Sequence, residues 1–133
     1  MADQGSAKLT AVVAALAGVR RGQVFTVLGP SRSTAGVDES ALLAAALSAA
    51  AGGDACLAGP VEVAVAVALR AHDVPSAVAR LRPGGRLVAV AGDGGGARRT
   101  APAHGLLLAH VASMPGRLAW SAVLPGAEPA AGT

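Results

Sequence analysis

An alternation of valine and alanine at residues 61–68 (VEVAVAVA) is the feature that most constrains the fold of this chain. Its period of two is that of a β-strand, which places the four valines on one face. The second face of a half-exposed strand would be polar, but here it is mostly alanine. We therefore expect both faces to be covered, as in a central strand of a parallel sheet with a helix seated closely on the alanines. The alternation predicts an α/β domain.

The segments before residue 61 alternate between helical and extended patterns. A helix is predicted at residues 7–19, where apolar side chains recur at helical spacing, and residues 23–28 (QVFTVL) predict a strand. A second helix is predicted at residues 40–51, and a short strand at residues 54–58. Helices that alternate with strands favour a mostly parallel sheet.

The segments after residue 69 predict one more helix, one more strand and a hairpin. The helix begins at Asp73-Val74-Pro75 and buries Val74, Val78 and Leu81. A tight turn at residues 83–85 leads to a strand at residues 87–91, and a glycine-rich, arginine-bearing loop without a helix follows. Runs at residues 106–112 and 117–124, separated by MPG, predict an antiparallel hairpin. We expect one domain over residues 1–125 and a flexible tail at 126–133.

Charge and composition exclude several classes of function. The formal net charge of +3 comes from basic residues scattered through the sequence, and the chain holds one Trp and one Phe, so no nucleic-acid surface is predicted. The single Cys56 and three widely separated histidines predict no metal site. The most apolar segment is too short to cross a bilayer, and no leader is evident, so we expect a cytoplasmic protein. Its abundance of Arg, Ala and Gly is typical of a bacterial genome rich in G and C.

Residues 61–91 resemble a segment of the class I S-adenosylmethionine-dependent methyltransferases. The most specific part is LRPGG at residues 81–85 followed by RLVAV, which is similar to the family's passage from its fourth to its fifth strand. The final hairpin resembles the family's last two strands, and the resemblance covers residues 61–125. It implies a truncated, Rossmann-like, mostly parallel sheet with helices on both faces and a C-terminal antiparallel hairpin.

The first half matches the family less well, because no GxGxG follows a predicted strand. In one alignment residues 23–28 are the family's first strand, Gly29 and Gly36 are the only glycines of the cofactor loop, and a βα unit is missing. In the other, residues 23–28 are the second strand and the central strand is absent. We favour the second alignment because it keeps the order of helices and strands. It requires another chain or a rearranged sheet to fill the gap.

The resemblance also implies site residues. Asp38 would bind the ribose of S-adenosylmethionine, Asp54 with Ala55 would meet the adenine, and His72 would act on the acceptor side, where a neutral imidazole can serve as a general base. Simpler roles stay open: a helix N-cap for Asp38, a solvated turn acid for Asp54 and a loop histidine for His72.

Two functions therefore stay open. One is methyl transfer from S-adenosylmethionine to a small molecule. The other is a non-catalytic methyltransferase-fold subunit that binds or scaffolds within a homo-oligomer, or beside a partner methyltransferase chain.

Overall fold

The computed structural model of the protein describes residues 2–28, 39–56, 58–91, 95–114 and 117–126. The first half contains α1 (Ala2–Ala17), β1 (Phe25–Leu28) and α2 (Glu39–Ala51). Next come β2 (Val61–Leu69), a 3-10 turn (Ala71–Asp73), α3 (Val74–Ala79) and β3 (Leu81–Ala91). The last elements are α4 (Gly96–Thr100), a second 3-10 turn (Ala101–His104), β4 (Leu107–Met114) and β5 (Arg117–Val123).

The described strands form one mixed sheet in the order β1-β2-β3-β5-β4. The first three strands are parallel, whereas β5 is antiparallel to both β3 and β4. The predicted hairpin and the predicted interior position of the valine-alanine strand are confirmed. The predicted class, a Rossmann-like α/β fold with a reversed last strand, is confirmed as well.

Each face of the sheet is covered by its own pair of helices. Val63, Val65 and Val67 of β2 join a core cluster with α1 and α2, in which Val65 and Leu43 are fully buried. Val61, predicted on the same face, lies in the cluster on the other face, because the ladder is irregular between residues 61 and 63. Ala64 and Ala66 join the cluster with α3 and α4, and Ala64 is as deeply buried as Val65. Alanine lets a helix approach the strand closely, because it adds only one methyl group between the two backbones. The interpretation of residues 61–68 as a strand covered on both faces is correct.

Strand β1 pairs directly with β2, from Phe25 opposite Val63 to Leu28 opposite Ala66. No gap separates the two strands, so the alignment that we favoured, with an absent central strand, is wrong. The physical reason is that a strand buried on both faces cannot leave its backbone N–H and C=O groups unpaired without a large free-energy cost. The other alignment agrees with the direct pairing of β1 and β2, and the four residues of β1 lie at the end of the described sheet.

The predicted tight turn at residues 83–85 lies inside β3. Leu81 already pairs with Val61, and the ladder resumes only where Arg86 pairs with Val63. The extra residues bulge out of the ladder, with Gly84 at a φ of +84°. A Cβ on Gly85 would lie 2.8 Å from the carbonyl oxygen of Arg82, so only glycine fits there without a shift. Leu81, predicted on the helix, is therefore a strand residue.

Two further predictions are wrong. Residues 54–56 and 58 form no strand, although the Cys56 N–H donates one hydrogen bond to the Phe25 carbonyl at 2.7 Å. One bond does not make a ladder. A helix, α4, follows the glycine-rich segment and carries Arg98 and Arg99, where we predicted a loop. None of the described helices has the length and apolarity needed to cross a bilayer.

Candidate functional site

A groove of about 390 Å³ lies at the C-terminal ends of the parallel strands β1 and β2. Its floor is apolar and is formed by Leu28 and by residues 66–69, which include two alanines. Helix α3 forms the wall, with Asp73 just before it, Ser76 on it and Arg80 just after it. In open α/β sheets, ligands bind outside the carboxyl ends of the strands, so the groove is in the expected place for a small-molecule site.

The floor contains the one described non-glycine residue with a positive φ. Ala68 has a φ of 59°, and the ladder between β2 and β3 is irregular between Ala66 and Leu69. Left-handed backbone at an alanine costs on the order of 1 kcal/mol, so the surrounding structure must impose it. Such strained positions cluster at functional sites, and this one lies at the floor of the groove.

A carboxylate lies at the N-terminal end of α3, which forms the wall of the groove. Asp73 Oδ2 accepts a hydrogen bond from the Arg70 N–H at 3.3 Å, which fixes the carboxylate at the start of α3. His72 Nε2 lies 3.3 Å from Asp73 Oδ1, but the His72 side chain is 74% exposed. His72 is therefore beside the groove and linked to it through Asp73, rather than one of the residues that line it.

The side chain of Arg80 carries a guanidinium group and follows the C-terminal end of α3. Arg80 Nε donates to the Gly59 carbonyl at 3.0 Å, and Nη2 donates to the Cys56 carbonyl at 3.3 Å. These bonds hold the cation in place and tie the loop before β2 to α3. The lining of the groove thus includes one acidic and one basic residue beside an apolar floor.

Of the predicted site residues, the structure describes Asp54, Ala55 and His72, and it places the first two apart from the third. Asp54 is exposed and Ala55 half-buried, and both precede Cys56, which bonds to the first residue of β1. His72 follows the far end of β2, about 20 Å away at the rise of an extended strand. Gly29, Gly36 and Asp38 lie outside the described residues. Their predicted roles stay predictions.

Three polar groups of the groove were not singled out from the sequence: Asp73, Ser76 and Arg80. Asp73 appeared only as the start of a helix, and Arg80 as one of several scattered basic residues. A usable signal existed in the sequence, since Asp73 and Arg80 flank the helix that follows the central strand. Among the described residues, no group of three or more histidine, cysteine, aspartate or glutamate side chains is arranged to hold a metal ion.

Known structures share this architecture. An RNA methyltransferase from Salinibacter ruber, in complex with S-adenosyl-L-homocysteine, matches with a TM-score of 0.56 at 16% identity, over 92% of this chain and 94% of that one. The chain has a methyltransferase-like fold. The methyltransferase-like sheet also matches the [4+2]-cyclase SpnF, with a TM-score of 0.61 at 11% identity, over 90% of this chain and 82% of that one.

TrmN from Thermus thermophilus matches with a TM-score of 0.55 at 18% identity, over 87% of this chain. The chain spans about half of TrmN, 48% of its length. No family model matches the sequence, and no curated protein is significantly similar to it. At these identities the structural matches establish the fold of the chain.

Proposed function

We propose that the protein binds S-adenosylmethionine in the groove and transfers its methyl group to a small molecule. The observation that carries the proposal is the position of the groove at the C-terminal ends of β1 and β2, in a methyltransferase-like fold. Its volume of about 390 Å³ is in the range of sites that enclose a small organic ligand.

The groove fits the chemistry of this cofactor. An apolar floor suits a nucleoside, and a wall with both charges suits the ammonium and carboxylate groups of its methionine part. Asp73 would bind the ammonium and Arg80 the carboxylate, while Leu28 contacts the apolar body. The cofactor, when bound, supplies the activated methyl group. The chain itself contributes position and orientation, which are the main requirements of such a transfer.

Some of the residues predicted from the sequence have a role in this proposal. Gly29 follows Leu28 in sequence, and we keep Gly29, Gly36 and Asp38 as cofactor contacts on the strength of the resemblance. His72 is assigned to the acceptor side, because its imidazole reaches Asp73 at the groove wall. Asp54 and Ala55 stay predicted adenine contacts on the strength of the resemblance alone.

The test is calorimetry with S-adenosyl-L-homocysteine and S-adenosylmethionine on two matched variants of α3. Ser76→Trp fills the groove, whereas Ala79→Trp adds the same side chain at an exposed position of the same helix that does not line the groove. We expect Ser76→Trp to weaken binding at least tenfold and Ala79→Trp to leave it unchanged. Absence of binding by the unmodified chain at millimolar ligand would contradict the proposal. Because the fold also carries a cyclase, methyl transfer is assayed separately from binding.

A second candidate function is a non-catalytic subunit that assembles with a second copy through β4. This strand is at the end of the described sheet, and its side chains of Leu107, Leu108 and Val111 are 62%, 47% and 43% exposed. Apart from His110, residues 107–114 carry no titratable side chain, so the strand does not repel its own copy. Long apolar edges without charges are rare in monomers, because they pair with other strands. An antiparallel pair of β4 strands would cover both copies at once.

Light scattering tests this assembly. Val111→Lys places a charge on the edge strand, and Leu42→Lys is the matched control on α2, where the leucine is 42% exposed. We expect a dimer that Val111→Lys converts to a monomer and Leu42→Lys leaves intact. A folded, monodisperse monomer before any substitution would remove this candidate.

A further inference from the structure

A second cavity, of about 490 Å³, lies at the opposite ends of the strands, where β2 and β3 begin. It is bounded by the end of α1 and the segment after it, by the first residues of β2 and by the glycine bulge of β3. Its lining residues include Gly18, Arg20, Glu62, Arg82, Gly84 and Arg86. Among the described residues, it shares no lining side chain with the groove.

The cavity gathers positive charge. Arg20 comes from the segment after α1, whereas Arg82 and Arg86 lie on the two sides of the glycine bulge. These residues are up to 66 positions apart in the sequence, which is why the basic residues looked scattered. With one carboxylate against three guanidinium groups, the lining has a formal charge of +2.

The single carboxylate does not neutralise these arginines. Glu62 Oε1 accepts a hydrogen bond from the Val24 N–H at 2.8 Å, and Glu62 forms no ion pair within 4.0 Å among the described residues. Arg86 is half-buried, and its Nη1 donates to the Leu16 carbonyl at 3.1 Å. This bond holds one guanidinium in place and leaves other N–H groups available. Like charges held close in a concave surface favour an anion that satisfies them.

We propose that this cavity is a binding site for a small molecule with a phosphate group. Guanidinium groups match phosphate oxygens in charge and in paired hydrogen-bond geometry. Gly18 and Gly84 line the cavity without side chains, so the oxygens can approach the backbone closely. Enclosure by the end of a helix and the start of a sheet favours a compact ligand over a polymer.

The experiment is isothermal titration of the full chain with inorganic pyrophosphate. Arg82→Ala removes an exposed guanidinium from the cavity, and Arg99→Ala is the matched control, an exposed arginine on α4 that does not line it. We expect sub-millimolar binding that Arg82→Ala weakens about tenfold, the effect of one charged hydrogen bond, and that Arg99→Ala leaves unchanged. Equal weakening in both variants would overturn the proposal, since it would indicate only a general charge effect.

A second measurement does not depend on any variant folding. In amide NMR spectra of the unmodified chain, pyrophosphate should shift the signals of Gly18, Gly84 and Gly85 and not those of residues in α4. No shift at 10 mM pyrophosphate would overturn the proposal, and so would binding of an oligonucleotide without binding of pyrophosphate. Ser76→Trp should leave pyrophosphate binding intact, so a failure of this site is distinguishable from a failure of the groove.

Discussion

The two cavities share strand β2, the groove at its C-terminal end and the second cavity at its N-terminal end, and they differ in almost every chemical respect. The groove at the C-terminal ends has an apolar floor and a wall with balanced charges, whereas the cavity at the N-terminal ends is lined by three arginines and one carboxylate. The position of the groove follows from the topology, because parallel strands direct their carboxyl ends to one edge. The position of the cavity at the N-terminal ends, the basic cavity, does not follow from the topology. It depends on individual side chains and on the glycine bulge of β3. One fold can therefore offer an expected site and an unexpected one.

The largest effect should come from disturbing the core that supports both cavities. Trp120 is fully buried, in the cluster that includes Ala66 and Ala77 of the groove. We expect Trp120→Ala to lower the free energy of unfolding by about 3–5 kcal/mol, and both ligands to lose binding as the chain unfolds. Chemical denaturation followed by far-UV circular dichroism measures this loss.

Trp120→Phe is the control for that substitution. The indole Nε1 is buried and has no hydrogen-bond partner among the described residues, so removing it offsets part of the lost packing. A loss as large as that of Trp120→Ala would show that the indole is needed for more than volume.

A substitution of intermediate effect, Gly85→Ala, should change binding in one cavity and not in the other. In Gly85→Ala the new Cβ meets the Arg82 carbonyl at 2.8 Å and the Glu62 carbonyl at 3.2 Å, so the bulge must move. We expect a loss of about 1–3 kcal/mol in stability and weaker pyrophosphate binding, with the affinity for S-adenosyl-L-homocysteine unchanged. Thermal unfolding and the two titrations measure this. If both affinities fall equally, the cavities are not independent.

A smaller effect should sharpen the charge difference. Glu62→Gln removes the one carboxylate among the described residues that line the basic cavity, and it keeps an oxygen that accepts from the Val24 N–H. We expect pyrophosphate to bind up to about tenfold more tightly, because one nearby negative charge is lost. Calorimetry at two salt concentrations measures the gain, which should shrink at high salt. Weaker binding would mean that Glu62 itself contacts the ligand.

The smallest effect concerns the groove. Ala68→Gly relieves a positive φ of 59°, so we expect a gain in stability below about 1 kcal/mol despite the greater freedom of glycine in the unfolded chain. Differential scanning calorimetry is sensitive enough to detect it. A clear loss would show that the methyl group of Ala68 contributes more to packing than its backbone costs.

The sequence predicted the fold best where hydrophobic periodicity was strong. The valine-alanine strand, the first two helices and the hairpin were all predicted, because their patterns arise from burial on defined faces. The prediction from sequence failed where residues typical of turns lie inside a strand. Pro83-Gly84-Gly85 have the composition of a turn, but Leu81 is already paired with β2, and a pairing between distant segments is not written in local composition.

The candidate site was predictable only in position. A site at the C-terminal ends of the strands follows from any parallel sheet. His72 was singled out because the resemblance implies an acceptor-side residue after the strand at residues 61–69. Asp73 and Arg80 were missed because their part in the groove depends on where their side chains are held. A hydrogen bond from Arg70 holds Asp73, and hydrogen bonds to the carbonyls of Cys56 and Gly59 hold Arg80. The convergence of Arg20 with Arg82 and Arg86 required the three-dimensional pairing of β2 with β3.

The interior position of β5 has a consequence for synthesis on the ribosome. It is the last of the described strands to emerge, yet it lies between β3 and β4. Until it emerges, β3 has an open side and β4 has no sheet to join. Leu124, just beyond β5, then accepts a hydrogen bond from Gly84 and donates one to Gly85, closing the bulge from the other end of the chain. A nascent chain stalled before β5 therefore exposes the unpaired edge of β3, which can pair with other strands. The sheet is completed only when β5 has been synthesised.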